Sequence, residues 1–131
     1  MAQPLLLTYN LKPGTAAGLL RICRDLGIRV REVRRGEYAL PIGVLAGIPV
    51  AGIPVARTTD VAPVAVFDDE MLVMCHMLSN ELDAFLQAMR DGGLPRIPLK
   101  AVLTPANVVW NSVDLRNELA REHGAMHRNR G

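Results

Sequence analysis

Residues 71–93 read MLVMCHMLSNELDAFLQAMRDGG, a short apolar run followed by an amphipathic pattern that ends in two glycines. The run at 71–77 is uncharged and has the length of a buried strand. Behind it, apolar residues recur at the i, i+3, i+4 and i+7 positions of a helix: Leu82, Phe85, Leu86 and Met89. Ser79 or Asn80 can cap this helix, and Gly93 is a typical C-terminal stop. The segment therefore predicts a strand followed by a helix.

The same pattern occurs 66 positions earlier, because residues 5–27 read LLLTYNLKPGTAAGLLRICRDLG. A further strand is predicted after each helix, at residues 28–33 and 98–103, and both of these carry charged side chains. Two βαβ units in tandem predict a ferredoxin-like α+β fold, an α/β sandwich with the first and third strands at the centre. A small doubly wound parallel sheet is the alternative, because the connection between the halves is long enough for a crossover.

The connection between the halves, residues 36–69, is too long for a hairpin and is predicted to be an insert with structure of its own. It contains a tandem repeat, Ala-Gly-Ile-Pro-Val at residues 46–50 and again at 51–55. Residues 1–127 are predicted to form a single α/β domain around this insert. Residues 128–131 are predicted to be a frayed tail.

Composition excludes several classes of protein. The 131 residues include 15 Lys and Arg against 13 Asp and Glu, and this net charge of +2 is far from that of a dedicated nucleic-acid binder. The two cysteines, Cys23 and Cys75, lie within apolar patterns, which suits a reducing compartment. The longest uncharged run, residues 40–56, is too short for a membrane span and is broken by Gly and Pro. These features predict a cytoplasmic protein.

Several stretches carry a resemblance to a known family. They are LGIRV at 26–30, DEMLV at 69–73, PLKAVLTPAN at 98–107, Trp110, and the charged helix around residues 118–123. Together they resemble a small bacterial family, the domain of unknown function numbered 3783. The likeness covers mainly residues 64–126, and it implies no activity because the family is one of unknown function.

The loop TPANVVWN at residues 104–111 is the candidate ligand site, with Thr104, Asn107 and Trp110 as the predicted binding residues. It joins the last strand to a closing helix and carries the one tryptophan of the chain. Loops in such positions often bind ligands. The alternative interpretation is the favoured one: Trp110 is largely buried and anchors the closing helix on the sheet, while Thr104 and Asn107 satisfy backbone groups.

A metal site is considered and rejected. Met71, Met74, Cys75, His76 and Met77 include soft ligands of the kind that suit Cu(I). Alternation along a strand places Met71, Cys75 and Met77 on one face, with Met74 and His76 on the other. No metal or other cofactor is therefore predicted. The same alternation separates Cys75 from His76, so no catalytic residue is assigned.

Three weaker clusters are interpreted as structural. His123 and His127 share a helix face but lack a third ligand. The acids at residues 68–70 could hold Mg²⁺, although such residues are usually solvated in turns. A basic cluster could meet RNA phosphates, but the aromatic side chains that stack on RNA bases are missing from it. Its members are Arg29, Arg31, Arg34 and Arg35.

The predicted function is a small non-catalytic binding, regulatory or protein-interaction domain, because the sequence has neither a nucleophile elbow nor a nucleotide-binding glycine pattern. A small enzyme that uses the loop at 104–111 is the alternative. Both central strands are apolar on both faces, and two helices can cover only one face. The other face needs the closing helix, the insert at 36–69 or a partner; a homodimer is predicted, with cover by the insert or the closing helix as the alternative. A small molecule or a protein is a further candidate partner. Neither nucleic acid nor a membrane is expected as a partner.

Overall fold

A computed structural model describes residues 3–48 and 66–129, with side chains through residue 124. The described residues form four β-strands and four α-helices. Their order is β1 (Leu5–Tyr9), α1 (Pro13–Leu26), β2 (Arg29–Glu32), α2 (Ile42–Leu45), β3 (Met71–Cys75), α3 (Ser79–Asp91), β4 (Leu99–Val102) and α4 (Ser112–Asn129), with a 3-10 turn at Arg35–Glu37 before α2. No helix within the described ranges is long and apolar enough to cross a membrane.

The four strands form one sheet in the order β2-β1-β3-β4. The α+β class and the central positions of β1 and β3 are confirmed. β2 pairs in parallel with β1, β4 pairs in parallel with β3, and β1 is antiparallel to β3. The neighbours differ from those of a ferredoxin-like sheet, in which each βαβ unit is split by another strand. The antiparallel pair also excludes the doubly wound parallel sheet. Apolar patterning marks the central strands, but it does not specify which neighbour each edge strand takes.

The two halves are structural copies with a symmetric pairing. Leu7 pairs with Val73, which is its own equivalent 66 residues later, and the register is symmetric about this pair. From the edge strands onward, equivalent residues of the two copies are 70 positions apart. A second contact between equivalent positions is therefore the antiparallel bridge between Pro41 and Asn111. The pairing is that expected for two copies related by a two-fold rotation. We call residues 5–48 the first copy and residues 71–124 the second copy.

Each central strand ends at a residue with left-handed backbone geometry. Asn10 has φ of 55° and His76 has φ of 60°, at equivalent positions after β1 and β3. L-residues rarely adopt this conformation, and Asn and His are among those that do. It breaks the strand alternation, so that Met77 packs with the helix-side core. Strand alternation predicted Met77 on the same face as Met71 and Cys75. That prediction is wrong, because Met71 and Cys75 lie in the core on the opposite face.

The face of the sheet that carries α1 and α3 holds one of two apolar cores. Equivalent residues of the two copies occupy equivalent places in it, since Leu19 of α1 and Phe85 of α3 are both fully buried. Other buried members include Leu6, Cys23, Leu72, Met74, Met89 and Ile97. The repeated i, i+3, i+4 pattern therefore builds one layer of two helices from the two copies.

The opposite face is covered by the 3-10 turn, α2 and α4. Its core includes Tyr9, Tyr38, Ile42, Leu45, Phe67 and Leu115. The Tyr9 hydroxyl lies 2.8 Å from Ser112 Oγ, which connects β1 to the first turn of α4. The Tyr38 hydroxyl donates to Asn10 Oδ1 at 3.3 Å. The chain itself thus covers the second face in the part that the structure describes.

Residues 36–48 are more than an insert, because they repeat the turn and helix start of residues 106–118. In each copy the edge strand leads into a turn, an antiparallel bridge and a helix. Most of the tandem Ala-Gly-Ile-Pro-Val repeat, from residue 49 onward, lies outside the described residues. The homodimer stays a prediction, which sedimentation equilibrium can test. The uncovered face that motivated it is occupied by α2 and α4.

Candidate functional site

The predicted site residues Thr104 and Asn107 hold the loop together. Asn107 Oδ1 accepts the Thr104 N–H at 2.9 Å, and Thr104 Oγ1 accepts the Asn107 N–H at 3.2 Å. Asn107 Nδ2 donates to the Val102 carbonyl at 3.0 Å, and the Asn107 residue is only 8% exposed. These side chains therefore satisfy backbone groups of their own turn, as the alternative interpretation proposed.

Trp110 is partly buried rather than largely buried, and it packs at the margin of the second-face core. Its carbonyl accepts the Ile42 N–H at 2.8 Å, so its backbone joins the start of α2 to the second copy. Together with Asp114 and Glu118, the indole lines a shallow hollow of about 250 Å³. The residue before the Pro41–Asn111 bridge thus leaves part of its side chain exposed beside this hollow.

The acids at residues 68–70 are directed to three different elements. Their partners are Arg35 for Asp68, Arg116 for Asp69 and the backbone N–H of Lys12 for Glu70. Each carboxylate is thus engaged separately. Among the described residues, no group of three or more His, Cys, Asp or Glu side chains is placed to hold a metal. The side chain of His127 lies outside the described part of the chain.

The thiol and imidazole next to each other in sequence do not form a reactive pair. Burial raises the pKa of the Cys75 thiol to about 12. His76 Nε2 lies 3.1 Å from the Ala46 carbonyl, on α2's C-terminal side. The second thiol, Cys23, is also buried, and burial raises its pKa to about 11. Both cysteines are protonated near neutral pH, a state that is unreactive as a nucleophile.

The basic cluster is largely structural. Arg31 donates to the Leu45 carbonyl at 2.8 Å and to Glu37 Oε2 at 2.6 Å, which fixes α2 against the edge strand. Arg35 pairs with Asp68. The two other arginines, Arg29 and Arg34, are exposed. Half of the cluster is therefore neutralised by carboxylates, which weakens it as a surface for phosphates.

A different feature has the chemistry of a binding site, a groove of about 440 Å³ between α3 and β4. Its apolar lining consists of Leu86, Met89, Leu94, Pro95 and Ile97. Three cations, Arg90, Arg96 and Lys100, complete the lining. None of these eight described residues carries a carboxylate. We call this feature the α3–β4 groove.

The wall of the groove is the chain between α3 and β4. Gly27 and Gly93 are equivalent and 66 residues apart, whereas the first residues of β2 and β4, Arg29 and Leu99, are 70 apart. The second copy is therefore four residues longer in this connection. The additional residues fall within 94–98, and they include most of the wall.

The added wall is anchored at both of its ends. A Cβ atom at Gly18 would lie 2.4 Å from Leu94 Cδ2, so Leu94 packs directly on the backbone of α1. Ile97 is fully buried in the helix-side core. Pro95 and Arg96, between these anchors, are exposed. The anchors hold this segment at the edge of the groove.

The cations of the groove have only neutral hydrogen-bond partners in the described part of the chain. Lys100 Nζ donates to the Ile97 carbonyl at 2.5 Å, and Arg90 Nη2 donates to Gln87 Oε1 at 2.8 Å. Partial burial lowers the pKa of the Lys100 amine below its usual value, and the charge of Arg96 lowers it further. The groove therefore has an excess of positive charge around an apolar floor.

Sequence reasoning missed this groove. The sequence patterns placed Lys100 in a predicted strand at 98–103 and gave no role to Arg90 or Arg96. The change of offset from 66 to 70 between the copies was a usable signal, because an insertion in one of two copies marks a local difference in structure.

The second copy also carries a family relationship. Residues 70–126 match the family model of DUF3783, a domain of unknown function. The resemblance predicted from the sequence is confirmed over this segment. It runs from the residue before β3 into α4, and it contains the whole α3–β4 groove. No curated protein and no solved structure matches the chain.

Proposed function

We propose that this chain is a small non-catalytic binding domain whose ligand lies in the α3–β4 groove. The observation that supports the proposal is the convergence of Arg90, Arg96 and Lys100 on an apolar floor without a carboxylate among the lining residues. Cations without a carboxylate partner among the described residues, gathered in a concave and largely apolar site, are typical of ligand sites, and the pKa of one of them, Lys100, is lowered. The volume falls within the range of small-molecule sites.

The lining chemistry favours binding over catalysis. The described groove residues include no carboxylate, imidazole or thiol, and the one amine, Lys100 Nζ, donates a hydrogen bond to the Ile97 carbonyl, so the lining offers no acid and base pair. The alternative, an enzyme that uses the loop at 104–111, has less support. Thr104 and Asn107 direct their polar groups at their own backbone.

A fluorescent anion with an apolar body tests the proposal. Anilinonaphthalene sulfonate (ANS) is titrated into the ¹⁵N-labelled full chain and followed by amide chemical shifts. We expect shifts concentrated in α3 and residues 94–100. Leu86→Trp fills the groove and should weaken binding of ANS by about tenfold or more, because a large ring occupies the apolar floor.

Leu20→Trp is the matched control, since Leu20 is the equivalent of Leu86 in the first copy and is 55% exposed, away from the groove. It should bind ANS as the unmodified chain does. The proposal is wrong if both variants lose the same affinity, or if ANS shifts map elsewhere. Near-ultraviolet circular dichroism of each variant shows whether native packing is kept, which separates groove binding from ANS uptake by a loosened core.

A further inference from the structure

We infer that the ligand of the α3–β4 groove is a small carboxylic acid with an aliphatic body. This inference rests on the proposed function and narrows it to a chemical class. It depends on the hydrogen-bonding capacity left on the three cations, on the apolar share of the lining, and on the absence of a compensating acid among the described lining residues.

The cations have donors to spare. Arg90 and Lys100 each donate one hydrogen bond to a neutral oxygen, whereas a guanidinium has five N–H groups and an ammonium has three. A carboxylate matches the planar fork of a guanidinium and can accept two parallel bonds from it. It would also offset the repulsion between Arg96 and Lys100, which lowers the pKa of Lys100. The three cations, which we call the rim of the groove, are therefore suited to binding one carboxylate head group.

The floor requires an apolar body behind that head group. Five of the eight lining residues are apolar, and Met89 and Ile97 among them are buried. Methionine and branched aliphatic side chains adapt to flexible alkyl chains. A small anion such as phosphate or acetate would leave most of this apolar surface in contact with water, so it would use only part of the site.

A second cationic cleft differs from the α3–β4 groove in the balance of its charges. It lies where β1 and β2 end, has a volume of about 430 Å³, and includes Arg34 and Arg35 in its lining. Glu32 also lines it, and Arg35 already pairs with Asp68. Its charges are thus partly balanced from within the protein. The α3–β4 groove has no such compensation among its described lining residues.

Octanoate, octanol and acetate separate the contributions of head group and body. Each is titrated into the full chain under the conditions used for ANS. We expect octanoate to displace ANS and to bind at least about tenfold more tightly than octanol or acetate, a difference of about 1.4 kcal/mol. Arg96→Gln and Lys100→Gln should each weaken octanoate by about 3- to 10-fold, because each removes one charged donor from the rim.

Arg90→Gln and Arg24→Gln form a matched pair, since Arg24 is the equivalent of Arg90 in the first copy and lies outside the groove lining. Only Arg90→Gln should weaken octanoate. Equal binding of octanol and octanoate, equal binding of acetate, or ANS binding that octanoate does not displace would overturn the inference while the proposed function stands. Failure of ANS itself to bind the groove would instead remove the proposed function.

Discussion

The two copies differ most where α3 leads into β4. The first copy turns from Gly27 directly into β2, whereas the second copy continues from Gly93 through residues 94–98 before β4 begins. The long connection and the end of α3 enclose a cationic groove, and the equivalent surface of the first copy presents Leu20, which is 55% exposed. A symmetric scaffold thus carries an asymmetric groove, which lies where the two copies differ in length.

The copies agree wherever the scaffold depends on them. Asn10 and His76 end the central strands with the same backbone geometry. The turn after each edge strand is held in the same way, since Glu37 Oε1 accepts the Arg34 N–H and Asn107 Oδ1 accepts the Thr104 N–H. Residues 37 and 107 are 70 apart, as are the partners 34 and 104. Asn107 and Thr104 therefore stabilise in the second copy the same turn that Glu37 and Arg34 stabilise in the first.

The strongest test of equivalence is the pair at the centre of the helix layer. Leu19→Ala should lower the free energy of unfolding by about 2–5 kcal/mol and Phe85→Ala by about 3–5 kcal/mol, because both side chains are fully buried. Equilibrium unfolding in urea measures both. Leu20→Ala, at an exposed position, should cost less than about 0.5 kcal/mol. A loss below 1 kcal/mol at one member of the pair would show that the copies do not share the core equally.

The second test concerns the seam between the copies. Trp110→Ala should lower the free energy of unfolding by about 2 kcal/mol, below the usual cost for a fully buried Trp, because the ring is partly exposed. Its equivalent, Leu40, is 4% exposed, and Leu40→Ala should cost about 2–4 kcal/mol. Denaturant titration followed by far-ultraviolet circular dichroism compares the two. A harmless Trp110→Ala would instead favour a ligand role for the indole.

The third test compares the side chains that hold the turn after each edge strand, Glu37 in the first copy and Asn107 in the second. Asn107→Ala should cost about 2 kcal/mol, because the buried amide is lost and the Thr104 N–H and the Val102 carbonyl lose this partner in a partly buried turn. Glu37→Ala should cost about 1 kcal/mol, since its bond to the Arg34 N–H is exposed and its pair with Arg31 is only partly buried. Thermal unfolding gives both values. The reverse order would mean that the charged turn of the first copy contributes more than the neutral turn of the second.

Sequence patterns predicted much of the scaffold and little of the site. The strands β1 and β3 follow from the length of two continuous apolar runs, and the helix face around Phe85 follows from a periodicity of 3.6 residues. The order of the edge strands does not, because a charged strand fits either edge of the sheet. The groove depends on side chains of α3, the connection and β4 meeting in space, which no local period encodes. Thr104 and Asn107 fit either a ligand site or a self-satisfied turn in the sequence, and their hydrogen bonds show that they hold a turn.

The family match includes the second copy but not the first. It covers residues 70–126, which corresponds to the second copy with its groove, whereas the first copy lies outside it. Without the first copy, the second copy would expose the edge of β3 that pairs with β1. An open apolar edge strand is a template for association. The first copy therefore completes the sheet, and the antiparallel pairing about Leu7 and Val73 is the contact through which it does so.

The smallest expected effect on stability tests how the added connection is held. In Gly18→Ala the new Cβ would lie 2.4 Å from Leu94 Cδ2, so the Leu94 side chain must move. The helix gains about 1 kcal/mol from alanine, and the displaced leucine offsets that gain, so the net change in stability should stay within about 1 kcal/mol. ANS binding in the groove should nevertheless weaken, because Leu94 forms part of the wall.

Ala84→Gly supplies the control, since Ala84 is the exposed equivalent of Gly18 on α3. It should cost about 1 kcal/mol of helix stability and leave the affinity for ANS unchanged. Urea unfolding and the ANS titration are measured on both variants. Unaltered methyl shifts of Leu94 together with unaltered ANS affinity in Gly18→Ala would show that contact with α1 does not fix the wall. In that case Ile97, buried in the helix-side core, would be the remaining anchor of the groove.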